Sequence, residues 1–158
     1  MAKKFLVALD KSSNSLRAVK FVADSISPCA QITLMSIVTN PASACELREP
    51  SEVHPLLKEN IKELCIIEDA EMSALEGFLD EAKKVLIKCG FPADNITVSI
   101  RKQQTDIAGD ILAEARDGKY DAIVVGRRGL KGLKHFMFGS VSSKVINHAE
   151  NLSVIVVD

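Results

Sequence analysis

The sequence has no CxxC pair, no GxGxxG, no P-loop of the form GxxxxGK followed by serine or threonine, and no apolar run approaching a membrane span. Each absence narrows the reading. Without a long apolar run the chain has no transmembrane helix. The apolar stretch after the basic start MAKKFLVALD stops at Asp10, too short for a signal peptide, so a cytoplasmic protein is expected. The four cysteines, Cys29, Cys45, Cys65 and Cys89, lie far apart and read as reduced structural thiols, buried as free cysteines commonly are. A metal set of Cys45, His54 and Cys65 fits no common zinc spacing. Aromatic residues are only 4%, so the basic residues near Arg127 lack stacking platforms beyond Phe136 and Phe138, which argues against nucleic acid. Those two phenylalanines read as anchors of their loop to the sheet. Net charge is −1, so any basic surface must be local. None of His54, His135 and His148 has an obvious nucleophile or acidic partner at helical spacing, and no catalytic residue can be named.

What is present is an alternation of short apolar runs and helical patterns. KFLVALD (Lys4–Asp10) reads as a buried strand. A helix follows, with Leu16, Val19, Phe21, Val22 and Ile26 inward, Ser12, Ser13 or Asn14 as N-cap, and Pro28 as terminator. Gln31–Thr39 is a second strand, and residues 40–53 read as a loop. From Pro55 a helical pattern runs to Cys89, long enough to expect a break near Ile67–Glu71, and Gly90 and Pro92 close it. Asn95–Lys102 alternates as a strand. Thr105 or Asp106 caps a helix that ends at Gly118. Tyr120–Gly126 is a fourth strand, Ser140 to about Ala149 a helix with Val141, Val145 and Ile146 inward, and Leu152–Asp158 a fifth strand. Strands alternating with helices predict one α/β domain over residues 1–158, an open parallel sheet with helices on both faces.

In such a sheet ligands sit beyond the carboxyl ends of the strands, where strand order reverses. Two loops leave those ends with distinctive chemistry: Asp10–Ser13 and Gly126–Ser140. The second, inside VVGRRGLKGLKHFMFGSVSSKV, carries Gly126, Gly129, Gly132 and Gly139 together with Arg127, Arg128, Lys131, Lys134 and His135. Glycines let backbone N–H groups approach an anion closely. The loop then enters a helix whose N-terminus offers unpaired N–H groups and partial positive charge. Singly, Gly126 would only end a strand and Ser140 only cap a helix. Together they predict an anion site.

The spacing Gly126-x2-Gly129-x9-Gly139-Ser140 strongly resembles the nucleotide-binding signature of the universal stress protein family, G-x2-G-x9-G-S/T. KKFLVALDKSSNSLRAVKFV is similar to that family's first strand, acidic residue and first helix, and DAIVVG with GSVSSKVI and SVIVVD to its last elements. The resemblance implies a sheet in order 3-2-1-4-5, an adenine nucleotide alpha hydrolase-like fold, and binding of ATP (or AMP or ADP) with Mg²⁺ on the phosphates.

By the same resemblance Asp10, flanked by Leu9 and Lys11, reaches the adenine amine, and Ile37 packs on the adenine face. Gly126 and Gly129 pass close to ribose and phosphates. Gly139, Ser140, Val141 and Ser142 cradle phosphates. Arg127 and Arg128 either contact the phosphates or project into solvent. Strand five, with Val154, Ile155, Val156 and Val157, implies a homodimer through an apolar sheet edge. The expected function is a cytoplasmic ATP-binding stress-response regulator acting on an unidentified protein partner. Two alternatives remain open here: a slow Mg-dependent ATP hydrolase or phosphotransferase, and a dimeric interaction protein with a vestigial nucleotide site.

Overall fold

Lys4–Ala8 (β1) has no charged residue after its first position and sits mid-sheet, with Leu6 and Val7 fully buried on opposite faces. A strand buried on both sides belongs in a parallel sheet covered by helices. The computed structural model, which describes residues 2–39, 55–128 and 138–158, has that architecture. In chain order it continues with α1 (Ser13–Ser25), β2 (Gln31–Val38), α2 (Pro55–Lys88), β3 (Ile96–Lys102), α3 (Ile107–Asp117), β4 (Ala122–Gly126), α4 (Ser140–His148) and β5 (Ser153–Val157). The five strands are parallel, in order β3-β2-β1-β4-β5. Ala8 is level with both Met35 and Val125, so the loops after β1 and β4 emerge side by side at the switch point.

Two cores flank the sheet. Val7, Leu34 and Val124 meet Val19 and Val22 of α1 and Leu79 and Leu86 of α2 on one face. Leu6, Met35 and Ile123 meet Ile111 and Leu112 of α3 and Val145 of α4 on the other. Both helix pairs are bound by apolar burial of roughly 25 cal/mol per Å².

Several expectations need correction. α2 runs unbroken for 34 residues, through the expected break near Ile67–Glu71. No proline or glycine lies between Pro55 and Gly77, so nothing there interrupts the ladder. Its buried stripe is Leu75, Leu79, Ala82 and Leu86, whereas Ile66 and Ile67 stand exposed. The helix ends in a Schellman motif: Gly90 takes φ +98°, the Phe91 N–H bonds the Leu86 carbonyl, and Phe91 packs into the same core. In α1 the inward stripe is Ser15, Ala18, Val19 and Val22, and Leu16 is exposed instead. In α4 Val145 is buried, but Ile146 is exposed. Cys29 and Cys89 are free thiols, as expected, yet exposed rather than buried, because both lie in turns, Cys29 between α1 and β2 and Cys89 just after α2. Cys45 and His54 lie outside the described residues.

Candidate functional site

The β1 loop is built by short polar side chains. Leu9, itself buried, donates its N–H to Met35 O (2.8 Å) and accepts the buried Ser36 hydroxyl at its carbonyl (2.6 Å). Both backbone groups of Leu9 are thus tied to β2, which fixes the start of the next residue. The Asp10 N–H donates to Ser15 Oγ (2.7 Å), and that hydroxyl donates back to Asp10 Oδ1 (2.8 Å). The same oxygen accepts the Ser12 N–H at 2.8 Å. Ser12 in turn caps α1 by accepting the Ser15 N–H. This arrangement explains why Ser15 rather than Leu16 faces inward. Lys11 is exposed beside Asp10, and Ile37 is half-buried near the end of β2, against the α3–α4 core.

The β4 loop is closed at its two ends. The carbonyl of Arg127 accepts the Gly139 N–H (2.8 Å) and the Ser142 hydroxyl (2.8 Å). Ser142 is buried, and its hydroxyl also lies 3.0 Å from Gly139 O. Ser142 therefore pins the loop ends together. Ser140 is exposed and Val141 half-buried on the first turn of α4. Gly139 is the N-cap and provides no side-chain cap, whereas α1 and α3 begin under Ser12 and Asp106. A Cβ on Gly139 would lie 3.4 Å from both Arg127 O and Arg128 Cα. Gly129, Lys131, Lys134, His135 and Phe136 lie outside the described residues.

The two loops touch. Asn14, read from sequence as a cap candidate, is not the cap: its side-chain amide donates to Arg128 O at 2.9 Å. The residue signal was the same for both roles, since an asparagine near a helix start reads as a cap. Gly126 leaves room for it, because a Cβ there would lie 3.0 Å from Asn14 Cβ.

The arginines point to β5. Arg127 Nη1 pairs with Asp158 Oδ2 at 2.8 Å, and Arg128 Nη2 stands 3.9 Å from Asp158 Oδ1. The Arg127 guanidinium lies 5.5 Å from the Phe138 ring centre. Phe138 is half exposed and covers that arginine, rather than anchoring the loop in the sheet core. Beside α4, Lys144 bonds Asp106 Oδ2 (2.7 Å) across to α3. That bond first, and the Gly109 N–H second, hold the Asp106 carboxyl below the usual carboxylate range. Among the described residues no group of three or more His, Cys, Asp or Glu could hold a metal by itself, and no helix is long and apolar enough to cross a membrane.

The family model of the universal stress proteins matches residues 1–158. The chain belongs to the universal stress protein family. A universal stress protein of Synechocystis sp. is 51% identical over 43 residues, a stretch that covers 27% of this chain and 27% of that protein. Universal stress protein UspA from Lactobacillus plantarum matches with a TM-score of 0.75 at 22% identity, over 99% of this chain and 97% of that one. The universal stress protein from Archaeoglobus fulgidus in complex with dAMP matches with a TM-score of 0.61 at 20% identity, over 99% and 98%. Those two structural likenesses bear on the fold.

Proposed function

We propose that this universal stress protein binds an adenine nucleotide, ATP with Mg²⁺ on its phosphates, between the loops after β1 and β4. One observation carries the reading. Of the helices that start at the switch-point loops, α1 begins under a side-chain cap and α4 begins at Gly139 with none. An uncapped N-terminus on a glycine loop suits phosphate oxygens, which accept from its backbone N–H groups and meet the positive end of the helix dipole. The dAMP bound by the Archaeoglobus relative supports an adenine ligand.

The residues present fit such a ligand. Asp10 is held in one orientation by Ser12 and Ser15, and a carboxylate has about four acceptor positions, so it can also receive the adenine amine. Leu9 and Lys11 flank it, and Ile37 supplies an apolar face. Gly126 and Gly129 let the chain run close to the ribose. Ser140 and Val141 present N–H groups to the phosphates beside Gly139, whose own N–H is held by the Arg127 carbonyl and whose missing side chain leaves room for them; Ser142 adds its own N–H while its hydroxyl holds the loop. When bound, Mg²⁺ supplies charge neutralisation between phosphate oxygens. Occupancy would then bias the Gly126–Ser140 loop and its contact with a protein partner, in the cytoplasmic stress-response role the family suggests. Among the described residues β5 pairs with β4 and with no strand on its other side, and Val154, Ile155, Val156 and Val157 are only half-buried, which supports a homodimer through that edge.

Calorimetric titration with ATP and Mg²⁺, with AMP and GTP for comparison, tests the site beside Gly139→Val. Saturable ATP binding that is lost in a folded Gly139→Val chain is expected. No ATP binding by protein free of carried-over nucleotide would overturn the assignment.

A further inference from the structure

The nucleotide reading leaves one arrangement unexplained. Arg127 and Arg128 sit where phosphate charge is expected, yet both guanidiniums turn to one carboxylate, that of Asp158 just past β5. Arg127 forms the closer pair, at 2.8 Å. Its main chain is continuous with the phosphate end of the site, because its carbonyl receives the Gly139 N–H and the Ser142 hydroxyl at the start of α4. Its N–H, by contrast, bonds Val157 O at 2.7 Å. Arg127 therefore stands between the α4 N-terminus and the end of β5. The Nε atoms of both arginines are buried and, among the described residues, have no hydrogen-bond partner. Guanidiniums recognise carboxylate and phosphate with the same fork of donors. Asp158 leaves part of that fork unused, and a polyphosphate has more oxygens to offer.

Resting on the nucleotide reading, we propose that Asp158 is an internal competitor for the ligand's phosphates. It holds Arg127 and Arg128 until a polyphosphate displaces it, and so it sets affinity according to phosphate charge. The pair is partly exposed, 25% for Arg127 and 61% for Asp158, so the competition is weak enough to be reversed. Adenosine, with no phosphate, gains nothing from the exchange.

The test compares the full chain with Asp158→Asn, which keeps size and removes charge. Binding of ATP, sodium tripolyphosphate and adenosine is measured by calorimetry. Asp158 lies on the surface, so the variant should fold. The expected result is an affinity gain of about three- to fivefold for ATP and tripolyphosphate, with adenosine unchanged. A general field effect would give a similar gain without the arginines. The same substitution is therefore repeated in an Arg127→Gln, Arg128→Gln background, where the gain should vanish. A gain that persists there overturns the proposal. So do unchanged or weaker polyphosphate binding in Asp158→Asn, and absence of polyphosphate binding in both chains. A gain for tripolyphosphate with no adenine ligand bound by either chain would uphold the competition while overturning the nucleotide reading.

Discussion

The side-chain amide of Asn14 donates to the carbonyl of Arg128 at 2.9 Å, across 114 positions of sequence, and so fastens the loop after β1 to the loop after β4. Asn14→Ala removes that bond and leaves Arg128 O short of a partner. A loss of about 1 kcal/mol in urea unfolding is expected, together with weaker ATP binding. Asn14→Asp should be worse, because a carboxylate cannot donate to a carbonyl. Wild-type values for both variants would mean that Asn14 does not join the loops.

Gly126 and Gly77 are opposite cases. A Cβ on Gly126 would meet Asn14 Cβ at 3.0 Å, so one loop must move. Gly126→Ala should cost about 1–3 kcal/mol and weaken nucleotide binding. Gly77 lies within α2 with nothing within 4 Å of its would-be Cβ. Gly77→Ala should therefore stabilise by about 0.5–1 kcal/mol through helix propensity alone. Thermal melts of the two variants should move in opposite directions, and a shift in the same direction would contradict this packing.

Ser142 and Ser140 separate structure from ligand contact. Ser142→Ala deletes a buried hydroxyl that serves the Arg127 carbonyl, and should cost about 1–2 kcal/mol. Ser140 is exposed, so Ser140→Ala should leave stability within about 0.5 kcal/mol and, by removing a hydroxyl donor beside the phosphates while keeping the N–H, lower ATP affinity. Paired unfolding and binding curves check the division. An Ser142→Ala chain of unchanged stability would show that the loop ends are held by Gly139 alone.

Stability should respond to acid through Asp106. Its folded carboxyl titrates below the ordinary value of about 3.9, first because Lys144 donates to it. Near and below that value the unfolded chain binds more protons than the folded one, so stability rises with pH. The contribution is fully present well above pH ~4 and is lost as pH falls through the lower folded value. Asp106→Asn keeps a good N-cap on α3 but loses the ion pair. Its unfolding midpoint should fall less steeply below pH ~4 than that of the wild type. Parallel acid profiles for the two chains would exclude this ion pair as a source of pH dependence.

The β5 edge has a directional test. Ser153 donates its N–H, and Val157 offers its carbonyl, toward β4, so Val156 turns its N–H to the open side. Val156→Pro removes an outward donor and keeps the β4 ladder. Sedimentation at micromolar concentration should show a dimer for the wild type and a monomer for this variant, with cooperative melting retained. A monomeric wild type would refute pairing through β5.

The strands, the capped helix starts and the parallel sheet were readable in the sequence because each rests on local patterns: apolar runs, short polar caps, and glycine after a helix. The glycine spacing from Gly126 to Gly139 was equally local, and the family resemblance it carried included the strand order that the fold shows. The resemblance carried no account of long-range partners. Asn14 looked like a cap and became a bridge because β1 and β4 are neighbours in the sheet. Ser15 displaced Leu16 from the inward stripe because a buried hydroxyl was needed at Asp10. Arg127 and Arg128 were placed near phosphate by spacing alone, and only the adjacency of β4 and β5 brought Asp158 to them. Hydrophobic period and turn chemistry act over a few residues and can be read along the chain. Hydrogen bonds and ion pairs between loops depend on which strands lie side by side, and that is decided by burial of the whole sheet.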